Sequence, residues 1–180
     1  MRRNPVPRTR LLGPAVALLC IGALLPAVRA DAPLRVGDLF PWAAAPGLVD
    51  PAGAGMEGRV VIVDFWASWC EPCRASFPFY SQLSRDLSGA GLVILGVSVD
   101  QDRGDCEAFV RRQAPAFPVV RDGAQRLVAA VQVPAMPTSY LLDRRGRVRY
   151  VHPGFHGGES ERAIRAEVQI LLSETNPRNP

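Results

Sequence analysis

Two stretches of the chain are apolar at almost every position. Residues 59–66, RVVIVDFW, and 91–99, GLVILGVSV, are short, rich in β-branched residues and bounded by glycines or polar turns. This pattern predicts strands buried on both faces of a sheet. Between them Phe77, Tyr80, Leu83 and Leu87 return at spacings of three and four, which predicts a helix from just past Cys70 to Gly89, kinked by Pro78. Strand, helix, strand makes the two runs a parallel pair. Beyond them the pattern predicts a helix over 105–113, a short strand over 117–120 and a helix over 124–131. A strand over 138–142 then turns at Asp143-Arg144-Arg145-Gly146 into another over 148–151. The last helix has Ser160 as its expected N-cap and Ile164, Val168, Leu171 and Leu172 on one face. Upstream, residues 31–58 are rich in Ala, Gly and Pro, with Val36-Gly37-Asp38 and Leu48-Val49-Asp50 as short strands of a loose hairpin. The fold class this implies is α/β, with a mixed central sheet flanked by helices.

The N-terminus follows a different rule. Arg2, Arg3, Arg8 and Arg10 precede an apolar run over 11–28 that ends in Val28-Arg29-Ala30, the layout of a signal peptide. Cleavage before Asp31 suits the small residues there, and the length of the run also suits retention as a membrane anchor. The chain is therefore read as residues 1–30, signal peptide or anchor, and residues 31–180, a single domain of ordinary size. Either way the domain is delivered to a periplasmic or other extracytoplasmic space, where disulfides persist.

Charge changes the picture once the leader is set aside. The net charge of +4 includes five Arg among the first thirty residues; without them 16 basic residues face 17 acidic ones, a balance of −1. No basic stripe with interleaved aromatics remains, so nucleic acid is not an expected partner. After cleavage three cysteines remain, Cys70, Cys73 and Cys106. An odd number, two of them adjacent in space, makes a poor disulfide scaffold.

Cys70-Glu71-Pro72-Cys73 opens the first helix. Cysteines three apart there can close a small disulfide ring, and the first lies where unpaired N–H groups and the helix dipole stabilise a thiolate. Cys73, one turn in, would face the sheet and attack the mixed disulfide formed by Cys70. Pro72 sits where its missing N–H costs little. The competing reading of a CxxC is half of a zinc site. Its other half would be His152 and His156, which lie 79 residues or more past Cys73 and are separated by Pro153-Gly154, so no metal is expected.

VDFWASWCEPC, followed by Arg74 and Phe77-Pro78, with Met136-Pro137-Thr138 and Tyr140-Leu141-Leu142-Asp143 downstream, resembles the TlpA/ResA-like thiol-disulfide oxidoreductases of the thioredoxin superfamily. The resemblance runs from about Val36 to Leu172. It implies a thioredoxin-like fold with an N-terminal β-hairpin and an inserted strand and helix. It also implies reduction of disulfides in exported proteins, for cytochrome c maturation or oxidase copper-site assembly, with electrons from a transmembrane donor. No cofactor beyond the Cys70-Cys73 disulfide is implied. Pro137 would be a cis-proline facing the CxxC, with Met136 offering its backbone to substrate, and Trp69, Glu71 and Pro72 would complete the contact surface. Asp64 matches the buried acid of thioredoxins, a proton acceptor beneath Cys73; its alternative is a partly exposed strand-end Asp. Several relatives carry a buried Glu three residues after the second cysteine, where this chain has Ser76, which leaves Asp64 as the candidate.

Glu71 adds a negative charge beside Cys70 that opposes thiolate formation. Cys106 falls with Phe109, Val110 and Gln113 on one helical face, as a buried inert thiol would. The competing functions are a thiol oxidase or isomerase, a peroxiredoxin-like peroxidase, and a Cu(I) chaperone holding the metal with Cys70, Cys73 and His152.

Overall fold

A computed structural model describes residues 32–49 and 54–175. The expected leader and its cleavage site lie outside the described residues. Five strands form one mixed sheet in the order β3-β2-β1-β4-β5. Its centre is β1, Val60–Trp66, buried at every position, as a nearly uninterrupted apolar run requires. It pairs in parallel with β2, Leu92–Ser98, and antiparallel with β4, Thr138–Leu142. The helix α1, Glu71–Leu87, makes the crossover and carries Pro78 within it. Helix α2, Arg103–Gln113, and the edge strand β3, Val119–Arg121, are the inserted helix and strand. Helix α3, Arg126–Val131, leads to β4, and β5, Val148–Pro153, returns beside it before α4, Gly158–Ser173.

Strand alternation splits the core into two layers. Ile62 and Trp66 of β1 pack with Cys73, Phe77 and Tyr80 of α1, Phe109 of α2 and Ile164 and Val168 of α4. Val61, Val63 and Phe65 face the other way, onto Leu127 and Val131 of α3 and Phe40 and Met56 from the N-terminal segment. Among the described residues no helix is long and apolar enough to cross a membrane.

Two expectations are corrected. No N-terminal hairpin forms among the described residues: Val36–Asp38 do not pair with Leu48 and Val49, and Asp50 lies outside the description. Gly37 turns at φ +96°, and the segment bonds instead to the open edge of β5, Gly37 N–H to Val148 O at 2.8 Å and Val148 N–H to Asp38 O at 2.9 Å, leaving a single Leu39–Arg147 bridge. That edge offers unsatisfied backbone groups, which a free hairpin would not use. Ser160 is not the N-cap of α4, a place taken by Gly157. Its hydroxyl accepts the His156 N–H at 2.8 Å from inside the first turn.

Candidate redox site

The site is built where β1 ends. After Trp66 the chain loops through Ala67, Ser68 and Trp69, and the loop is tied to the end of β2. Asp100 accepts the Ser68 N–H at 3.0 and 3.1 Å and the Ser68 hydroxyl at 2.9 Å, while Ser98 donates to the same carboxylate at 2.8 Å. Val99 N–H adds a bond to Trp66 O at 2.9 Å. Cys70 then caps α1 in an extended conformation, and its Sγ accepts the Cys73 N–H at 3.2 Å. An otherwise unpaired helix donor thus points at the sulfur. Cys70 and Cys73 are joined, S–S 2.01 Å and Cα–Cα 5.3 Å, with both side chains buried.

Around them Trp69 is 72% exposed, Glu71 and Pro72 are exposed, and Glu71 faces Arg74 at 3.5 Å. The Met136-Pro137 bond is cis, with Pro137 buried and Met136 half-buried. Thr138, the next residue, is the register partner of Phe65, so Pro137 lies at the same end of the sheet as the CxxC. Cys106 is buried on the inward face of α2 with Phe109, and burial pushes its thiol pKa up. Ser76 is buried and donates its hydroxyl to Cys73 O at 2.9 Å, an ordinary helix back-bond.

Asp64 is fully buried in β1, on the face packed by α1. Burial raises its pKa to about 7, opposed by a hydrogen bond from Ser139 Oγ to Oδ1 at 2.7 Å. Asp64 Oδ2 and Trp66 Nε1, two residues apart on that face, are both buried without a partner among the described residues. Across the sheet Gly96 is the register partner of Asp64. A Cβ there would come within 3.1 Å of Trp66 Nε1 and of the Phe117 ring, so a side chain at this position would require these groups to give way by a few tenths of an ångström. His152, opposite Ser139 on β5, is engaged by Glu167 of α4 at 2.5 Å.

The sequence reading missed Tyr80, Ser139, Ser68 and Asp100 as site residues. Tyr80 falls on the apolar face of its helix in the sequence pattern, yet its hydroxyl lies 2.6 Å from Ser139 Oγ. The available signal was polar residues, Asp64 and Ser139, inside strands otherwise buried. Such groups need partners.

Residues 51–151 match the AhpC/TSA family. The chain is 32% identical over 98 residues to the thiol-disulfide oxidoreductase ResA of Geobacillus thermodenitrificans, covering 54% of this chain and 56% of that protein. Against ResA of Bacillus subtilis the identity is 30% over 99 residues, covering 55% of each. The chain thus spans about half the length of the curated relatives it matches. A crystal structure of a candidate thiol:disulfide interchange protein DsbE from Chlorobium tepidum is similar at a TM-score of 0.71 and 34% identity, over 78% of this chain and 99% of that one.

Proposed function

The chain belongs to the AhpC/TSA family, and from that premise we propose that it is an exported thiol-disulfide oxidoreductase that reduces disulfides in extracytoplasmic proteins. One observation carries the reading: Cys70 Sγ sits at the N-cap of α1 and accepts the Cys73 N–H, where a thiolate would be stabilised. In the reduced enzyme the Cys70 thiolate attacks one sulfur of a substrate disulfide. The substrate S–S bond breaks, and its second sulfur leaves as a thiolate and takes a proton. Asp64 takes the Cys73 proton, the Cys73 thiolate attacks Cys70 Sγ, and the remaining substrate sulfur departs and is protonated. Two electrons have passed to substrate, and the enzyme holds the Cys70-Cys73 disulfide. A transmembrane donor of two electrons and two protons then restores the dithiol.

Trp69, Met136 and Pro137 form the contact surface for an extended substrate segment, with Pro72 and Glu71 at its rim. Their common position at one end of the sheet supports this assignment. Export through residues 1–30 fits the chemistry, because substrate disulfides accumulate outside the cytoplasm. Cytochrome c maturation and oxidase copper-site assembly are the pathways it would serve, a reading that the resemblance to the ResA-like proteins supports. The test is a trap: Cys73→Ser should accumulate a mixed disulfide through Cys70, and Cys70→Ser should accumulate none. Trapping through Cys73 instead would reverse the assignment.

A further inference from the structure

The oxidoreductase reading uses Asp64 as a proton acceptor, and the inference here rests on that reading while asking what prepares the carboxyl. Three elements meet at it. Ser139 of β4 spends its single hydroxyl hydrogen on Asp64 Oδ1 at 2.7 Å. The 2.6 Å contact between Tyr80 OH and Ser139 Oγ therefore has Tyr80 of α1 as its donor. The two bonds run in series, Tyr80 to Ser139 to Oδ1, and all three residues are buried. Oδ2 of the same carboxyl has no partner among the described residues. The two oxygens are thus unlike: one is anchored, the other open.

We propose that Tyr80 and Ser139 are positioning residues that act through Asp64, holding Oδ1 as a permanent acceptor so that the exchanging proton is carried on Oδ2. When Cys73 gives up its proton, the S–H bond breaks and an O–H bond forms at Oδ2, while the hydroxyl chain stays as it was. Carboxylate and carboxylic acid both accept from Ser139, so no reorganisation accompanies the transfer. A hydrogen bond to the ionised form is about twice as strong as one to the neutral form, so the chain favours ionisation against the cost of burial. The other groups around Asp64 do not compete. Gly96 of β2 offers no side chain, and α1 brings the Tyr80 hydroxyl to Asp64 and buries Cys73 in the same layer. Helix α4 packs this layer with Ile164, Val168 and Leu171, and its Glu167 is held by His152 of β5, opposite Ser139. From α2 comes Phe109, against Trp66.

The experiment follows the Asp64 carboxyl by carbon NMR across pH in the full chain with the disulfide closed, so that no substrate or thiol contributes. Ser139→Ala should move the titration midpoint up by about one pH unit. Ser139→Thr, which keeps the hydroxyl, should leave it near the natural value. Tyr80→Phe, which keeps the ring, should move it up by a few tenths of a unit, about the share of a bond that strengthens another. The pH midpoint of mixed-disulfide resolution should move with the carboxyl. A natively folded Ser139→Ala chain whose Asp64 midpoint is unmoved or lowered overturns the inference. Should that variant not fold, Tyr80→Phe decides alone: an upward shift supports the hydroxyl chain and no shift overturns it. The oxidoreductase reading fails separately, on the absence of disulfide exchange, whatever the carboxyl does.

Discussion

Two helices of this chain carry a cysteine near their N-terminus, and the two thiols meet opposite surroundings. Cys70 is the cap of α1, so the Cys73 N–H points at its sulfur. Cys106 lies four residues into α2, beyond the cap Asp102, and its side chain turns inward against the sheet. There burial raises its pKa, the Ser98 hydroxyl partly relieves it, and the Asp100 carboxylate raises it again. The difference is one of position within the turn. A helix end stabilises a thiolate only where the free N–H groups reach the sulfur, and one turn further in the same dipole is outweighed by desolvation.

The largest expected effect separates the two directly. Cys70→Ser should reduce disulfide exchange to background, while Cys106→Ser leaves the exchange rate within about twofold, as expected of a substitution away from the reacting atoms. Insulin reduction followed by turbidity measures both. An equal loss in the two variants would make Cys106 a third redox residue and remove the difference between the two helix ends.

Next in size is the pH dependence that Asp64 imposes. Its folded pKa, about 7, lies above the unfolded value near 3.8, so the native state holds the proton more tightly. Stability from this group is full below about pH 4 and is lost as pH rises towards 7 and beyond. Three units correspond to about 4 kcal/mol, an upper bound once the site relaxes. Asp64→Asn has no such proton to lose. Its stability relative to the natural chain should therefore improve steadily between pH 4 and 8, as read by urea unfolding of the oxidised protein. A difference that is flat with pH would mean that Asp64 is already ionised at pH 4 in the folded chain. In exchange assays the same variant should slow release of the mixed disulfide more than its formation, and equal slowing would leave Asp64 a structural role.

Cys106 supplies a smaller effect of the same kind. In the reduced, folded protein it should react with iodoacetamide at least about tenfold more slowly than in the unfolded chain, because labelling requires local opening and loss of a proton held by burial. Rapid labelling would place the thiol on the open side of α2.

What could be read from the residues follows the strength of their local signals. Strands β1 and β2 were legible because long β-branched runs leave few alternatives, and CxxC at a strand-to-helix junction fixed where the cysteines lie. The N-terminal pairing was not legible. Val36-Gly37-Asp38 looks like a strand wherever its partner is, and the open edge of β5 was a better partner than Leu48 and Val49. The Tyr80-Ser139-Asp64 chain was invisible for another reason: its members are 59 and 75 residues apart, and the register of two strands brings them together. Likewise nothing in Ser68 or Asp100 alone announces that one holds the loop of the other.

The smallest expected effect concerns the charge beside Cys70. A negative Glu71 disfavours the thiolate of the reduced form, so the couple should be reducing, with a potential nearer the value of about −270 mV for thioredoxin than the value of about −120 mV for DsbA. How much of that belongs to Glu71 follows from its surroundings. Its carboxylate is 79% exposed and faces the guanidinium of Arg74, itself 51% exposed, at 3.5 Å. Water screens both charges, and exposed pairs of this kind are worth at most about 1 kcal/mol. For a two-electron couple about 1.4 kcal/mol corresponds to 30 mV, so Glu71→Gln should raise the potential by no more than about 20 mV. The sign is upward because the reduced form gains, and because Arg74 is left free to favour the thiolate. Equilibration with a thiol-disulfide buffer measures both quantities. A downward shift would reverse the electrostatic argument, and a rise above about 60 mV would mean that Glu71 acts through more than its screened charge. If the natural chain itself stands above about −180 mV, the value for protein disulfide isomerase, the proposed direction fails and the site is that of an oxidase or isomerase.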